Sequence, residues 1–164
     1  AQGSDAIVEP MAVGDLGSFA VVTDAGGAVI GMWQPGSHTG FEGRAEPGFP
    51  GWFELHTRDY EPSLRFYEEV FGWKVHTASD EPGFHYSTLL EGPDGRAGVM
   101  DATAFLPEGV PAHWSVYFQV ADVDASLARV TELGGAVVMP AEDTPYGRLA
   151  TATDATGGPF KLMA

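Results

Sequence analysis

Apolar and polar positions alternate from Trp52 to Thr57: Trp52, Glu54 and His56 share one parity and Phe53, Leu55 and Thr57 the other. Period two predicts a half-buried strand. The pattern then changes to a helical period, with Leu64, Phe66, Tyr67, Val70 and Phe71 apolar. Asp59 stands where an N-cap belongs, Pro62 falls in the first turn, and Gly72 suits a left-handed C-cap. Further short strands are predicted over 74–78, 84–90 and 97–102, with turns at 79–83 and 92–96. The order is strand, helix, strand, strand, strand.

The order begins again at Trp114. Residues 114–120 alternate, Asp122 is the expected N-cap, and Leu127, Val130 and Leu133 line a helix that runs from Ser126 to Leu133. Gly134 and Gly135 end it. Strands follow over 137–139, 148–153 and 160–163. Ahead of both units, residues 8–35 carry two apolar runs around Asp24-Ala25-Gly26-Gly27, which predict a β-hairpin. Residues 36–50, rich in Gly and Pro, read as a linker. Residues 1–7 are small and polar and read as a frayed end.

A longer repeat overlies this order. Val8, Pro10, Gly17, Ala20, Thr23, Asp24, Ala25 and Gly27 recur 130 positions on, as Val138, Pro140, Gly147, Ala150, Thr153, Asp154, Ala155 and Gly157. The hairpin thus resembles the end of a preceding copy of the domain that occupies 51–164.

Composition narrows the function. Eight Lys and Arg against 23 Asp and Glu give a net charge of -15, with no basic stripe to meet a phosphate backbone, so nucleic acid is not an expected partner. The acidity serves solubility or cation binding. Cysteine is absent, which removes thiol chemistry and cysteine-bound metal. There is no long apolar run and no basic, apolar leader, so no membrane role is expected and the cytoplasm is the expected compartment.

Thr57-Arg58-Asp59 through Phe66-Tyr67 to Phe71-Gly72-Trp73, Val120-Ala121-Asp122-Val123 through Leu133-Gly134-Gly135, and the turn from Asp154 to Phe160 together resemble the vicinal oxygen chelate superfamily of glyoxalases, bleomycin-resistance proteins and extradiol dioxygenases. Gly27 through Pro35 is similar to a domain end in its tandem glyoxalase-like, hydroxylase-like or antigen-like group. The resemblance implies an α+β fold: paired βαβββ modules, 51–106 and 112–164, forming a curled sheet around a central cavity, with the 8–35 hairpin as an addition. It also implies four inward positions that hold a divalent metal in metal-dependent members. Carried over, these are Trp52, Met100, Ser115 and Lys161, and the hairpin offers Gly31 where Lys161 lies. None is a carboxylate or imidazole, so no metal or other cofactor is expected. A divalent ion held by Glu54, His56 and His113 is the alternative.

The parity that carries Trp52, Glu54 and His56, together with Ser115, Tyr117 and Gln119 and with Lys161 and Met163, predicts an aromatic-walled pocket between the modules. The expected ligand-binding residues are Trp52, Glu54, His56, Met100, Ser115, Tyr117, Gln119 and Lys161. Glu54 is an acceptor or base, or else a structural partner of Lys161 or a backbone donor. His56 is a proton-transfer group or a packing imidazole. The expected function is metal-free binding of a small molecule. The alternatives are a superfamily enzyme, either a metal-dependent lyase or dioxygenase or a hydroxylase-like one, and an interaction protein. In the last case the hairpin pairs with a neighbour, a second copy making a homodimer.

Overall fold

The computed structural model of the protein describes residues 5–40, 43–91 and 94–164. In chain order the elements are β1 (Ala6–Val13), β2 (Gly17–Thr23), β3 (Val29–Pro35), β4 (Pro50–Thr57), α1 (Tyr60–Phe71), β5 (Lys74–Glu81), β6 (Phe84–Glu91), β7 (Asp94–Asp101), β8 (His113–Gln119), α2 (Val123–Glu132), β9 (Ala136–Thr144), β10 (Gly147–Thr153) and β11 (Pro159–Met163). The fold is α+β, with the strand–helix–strand–strand–strand order present twice. The described residues fall into two compact units, one within Ala1–Phe41 and Glu54–Trp114, the other within Glu42–Phe53 and Ser115–Ala164.

In the first unit β5, β6 and β7 form antiparallel neighbours, and β4 joins β7 in parallel with Glu54 opposite Gly98 and His56 opposite Met100. In the second, β9, β10 and β11 are antiparallel and β8 joins β11 in parallel, Tyr117 opposite Lys161. The expected curled sheet around a central cavity is not what forms. In the first unit the strand order is β5-β6-β7-β4 and in the second it is β8-β11-β10-β9, and neither row closes on itself. A closed arrangement needs its outermost strands to find partners, and β5 and β9 each end a row.

Helix α1 buries Ser63, Leu64, Phe66 and Tyr67. Leu55 and Thr57 of β4, Ser87 and Leu89 of β6 and Val99 of β7 are fully buried. The second half of β4 is buried on both faces, where the alternation predicts only one. Gly72 ends α1 in the left-handed conformation, its N–H returning to the Glu68 carbonyl. Asp59 does not cap with its side chain. The Thr57 hydroxyl instead accepts from the Asp59 N–H at 3.0 Å. In α2 the expected cap is present, the Asp122 carboxylate accepting from the Ala125 N–H at 2.9 Å. Val123 and Leu127 of that helix pack on Ala150, Ala152 and Leu162.

Several boundaries differ from the sequence pattern, among them the end of β5, which runs to Glu81 through the expected turn, and the start of α2 at Val123. The N-terminal sheet has a third strand, β1, beside the expected hairpin of β2 and β3. Strand β9 runs on to Thr144 although Pro140 suggests an end. Both β1 and β9 are edge strands with a proline beside a register shift, the setting in which a missing N–H breaks no ladder bond. The expected turn at 92–96 falls partly outside the described residues, and Asp94 already belongs to β7. Within the 36–50 stretch, residues 41 and 42 lie outside the described residues. Its end is held, because Gly48 and Phe49 exchange backbone bonds with Gln119 at 2.8 and 2.9 Å.

Candidate functional site

The face of β4 opposite the buried Leu55 and Thr57 carries Glu54 and His56. Sheet pairing sets His56 beside Met100 and Met100 beside Tyr86, a row across three strands. His56 Nε2 lies 2.9 Å from Glu54 Oε1, both side chains 11% exposed. The Tyr86 hydroxyl donates to Glu54 Oε2 at 3.1 Å. Glu54 therefore orients the imidazole. In the neutral ring this places the proton on Nε2 and makes Nδ1 the basic nitrogen. The His56 ring stacks on that of His113, centroids 5.3 Å apart and planes within 4°. The Nδ1 of His113 stands 3.0 Å from the Pro111 carbonyl. His113 thus meets His56 as a stacking partner. Tyr86 is a member of this group that sequence reasoning missed, because its strand gave no sign of which residue on β4 would face it.

The second unit holds Trp52, Ser115, Tyr117, Gln119 and Lys161. Parallel pairing sets Lys161 beside Tyr117 and Met163 beside Gln119. The Lys161 ammonium donates to the Tyr117 hydroxyl at 2.9 Å and sits 4.6 Å from the centre of its ring. These two residues wall a recess of about 140 Å³, completed by Met139, Glu142, Leu149 and Thr151 among others. The recess arises because β10 turns Leu149 and Thr151 away from α2, whose side takes Ala150 and Ala152. Gln119 and Met163 lie at Gly51, where an added Cβ would stand 2.6 Å from the Met163 sulfur. Leu149 and Thr151 share a parity that the strand pattern could have flagged, whereas Met139 and Glu142 have opposite parity and meet the recess together only through the register shift between their pairs with Thr151 and Leu149.

Among the described residues no group of three or more His, Cys, Asp or Glu side chains is placed to hold a metal ion. The four positions carried over from metal-dependent relatives, Trp52, Met100, Ser115 and Lys161, supply an indole, a thioether, a hydroxyl and an ammonium. That donor set does not fit a divalent cation.

Two ion pairs of the second unit are structural. Arg148 bridges Asp124 at 2.6 Å and Asp143 at 2.9 Å, and its hydrogen bonds hold the Asp124 carboxyl below the usual carboxylate range. Arg148 thus serves as a brace between α2 and β9. No helix is long and apolar enough to cross a membrane among the described residues.

The chain belongs to the Glyoxalase/Bleomycin resistance protein/Dioxygenase superfamily, whose family model matches residues 50–161. It is 35% identical over 162 residues to the proteins named "Putative glyoxylase CFP32" of Mycobacterium bovis and Mycobacterium tuberculosis, covering 98% of this chain and 61% of theirs. It is 33% identical over 165 residues to the anthracycline biosynthesis protein DnrV of Streptomyces peucetius, covering 98% of this chain and 58% of that one. The chain thus spans about three fifths of the length of these curated relatives. Among solved structures, methylmalonyl-CoA epimerase of Streptomyces coelicolor matches with a TM-score of 0.51 at 19% identity, over 71% of this chain and 94% of that one. At that identity the likeness is one of fold.

Proposed function

We propose that the chain is a metal-free, small-molecule-binding member of the superfamily and that the Tyr117–Lys161 recess takes a flat, aromatic part of the ligand. The observation that carries this reading is the recess itself. Its volume, about 140 Å³, is of the order that accepts one aromatic ring. An aromatic wall, apolar sides from Leu149 and the exposed Met139, and a few polar groups are the usual composition of such a site. Two relatives carry anthracycline biosynthesis in their names, and an aromatic ligand agrees with that. The test is a panel of single- and fused-ring aromatic compounds, followed by ligand-observed NMR and calorimetry. Binding is expected for the native chain and a loss of at least tenfold for Leu149→Trp, which fills the recess. Equal binding by that variant would refute the assignment.

A second reading is favoured by the Glu54–His56 pair. A carboxylate fixing one imidazole nitrogen, with a tyrosine fixing the carboxylate, is the arrangement that prepares the other nitrogen to take a proton. On this reading the protein is a superfamily enzyme that works by acid–base chemistry at His56. Turnover of a bound compound that vanishes in His56→Gln while binding persists would favour it over simple binding.

A further inference from the structure

The N-terminal sheet and the end of the second unit are built to one pattern. Strand β2 pairs with β3 so that Ala20 faces Met32, Val21 faces Gly31 and Val22 faces Ile30. Strand β10 pairs with β11 so that Ala150 faces Leu162, Thr151 faces Lys161 and Ala152 faces Phe160. Every partner is displaced by the same 130 positions. The connecting turns agree bond for bond. Asp24 N–H donates to the Ala28 carbonyl and Gly27 N–H to that of Asp24, as Asp154 N–H does to Gly158 and Gly157 N–H to Asp154. Each turn also closes on its own aspartate Oδ1, through Gly26 and Ala28 in one and Thr156 and Gly158 in the other. Both sheets carry a proline beside a register shift on the outer strand.

They differ in what lies beyond the third strand. Strand β11 has β8 along its other edge, in parallel, and α2 over Ala150, Ala152 and Leu162. Strand β3 is the end of its sheet, with no neighbour on that edge among the described residues. The positions that match the seat of α2 are Ala20, Val22, Ile30 and Met32, all apolar. The loss of cover is visible at matched positions: Leu162 is 4% exposed and Ala152 fully buried, whereas Met32 and Val22 are only half-buried. An open edge beside an apolar seat is a place for a strand followed by a helix.

We infer that the β3 edge and its Ala20–Val22–Ile30–Met32 face bind a strand–helix segment of the β8–α2 type, the strand parallel to β3 and the helix on the apolar face. That segment belongs to the same polypeptide outside these 164 residues. A second folded copy cannot supply it, because its own β8 is already paired with β11. The curated relatives are longer than the region they share with this chain, which leaves room for it. This inference concerns the N-terminal sheet and stands apart from the ligand recess.

The test fuses a second copy of residues 111–134 ahead of Asp5 through a flexible Gly/Ser linker, which raises its effective concentration at the edge. Amide exchange along β3 is then compared with that of the unfused chain. Occupation slows alternate β3 amides by about tenfold or more, and Met32→Asp in the seat abolishes the effect while leaving the circular dichroism spectrum unchanged. Unchanged exchange along β3 in the fusion would overturn the proposal. So would an unfused chain that sediments as a dimer with β3 already protected, since the occupant would then be a second copy.

Discussion

The Tyr67 hydroxyl donates to Asp24 Oδ2 at 2.8 Å, and neither residue has any solvent exposure. The pair joins α1 to the turn between β2 and β3. The bond is one link of a chain, because the Trp114 indole N–H donates to the same tyrosine oxygen at 3.0 Å. Around it the ring of Tyr67 stacks on Phe71 and Trp73 and meets Phe66 and Trp114 edge-on. Asp24 is thus a buried carboxylate whose charge is met by two backbone N–H groups and one phenol.

Replacing Tyr67 with Phe keeps the ring packing and deletes the bond. It leaves the fully buried Asp24 Oδ2 without its phenol and the half-buried Trp114 N–H without its acceptor. The expected loss is about 2–3 kcal/mol of unfolding free energy, read from urea denaturation. A change within a few tenths of a kcal/mol would mean that water reaches these groups.

The same hydroxyl makes stability depend on alkaline pH. Burial, then the nearby Asp24 charge, pushes the Tyr67 pKa up from its ordinary value of 10.0. The neutral phenol is therefore favoured in the folded chain more than in the unfolded one. Its contribution is intact below pH 10 and is lost as pH rises beyond that toward the folded value. Stability of the native chain is expected to fall above pH 10 more steeply than that of Tyr67→Phe. Parallel curves for the two proteins would remove Tyr67 as the cause.

Gly26 lies inside the Asp24 turn, against β4 and α1. A Cβ there would stand 2.6 Å from the Thr57 hydroxyl and 3.1 Å from that of Ser63. Thr57 cannot yield freely, because its hydroxyl already accepts the Asp59 N–H at the start of α1. Gly26→Ala is expected to cost about 1–3 kcal/mol in the same urea titration, through overpacking. Gly27→Ala makes a useful contrast. Its φ of 87° brings backbone strain, yet nothing lies within 4 Å of its added Cβ, so its cost is conformational rather than steric.

Much of this arrangement was legible in the residues. Periodicity identified both helices and the strand-to-helix passage at Thr57–Asp59, since the apolar stripe of α1 is long and Gly72 and Gly134 end their helices clearly. The shared parity of Glu54 and His56 put them on one face of β4, but the structural partner expected for Glu54 is Lys161 or a backbone donor, not His56. Tyr86 could not be found this way, because its reach to Glu54 from the His56–Met100 row depends on how β6 and β7 register against β4. Strand β1 was hidden by Pro10 and by a run of residues exposed on both faces, which leaves no alternation to read. The open order of the sheet was equally out of reach: strand pattern fixes neighbours along the chain but not whether the outermost strands find each other.

Asp24 and Asp154 close identical loops in opposite surroundings. Asp154 is exposed, its carboxyl held low by the Thr156 hydroxyl and the backbone N–H groups of its own turn. Asp24 accepts the matching backbone N–H bonds, has Gly26 where Thr156 adds a hydroxyl, and spends its second oxygen on Tyr67. The loop behaves like a plug of standard gauge whose shape is complete before it meets anything. What turns one copy into a fastening is the socket that receives it, a phenol on a helix ringed by aromatic side chains. A surface helix furnished with a comparable socket would be expected to capture the other copy without any change to the loop itself.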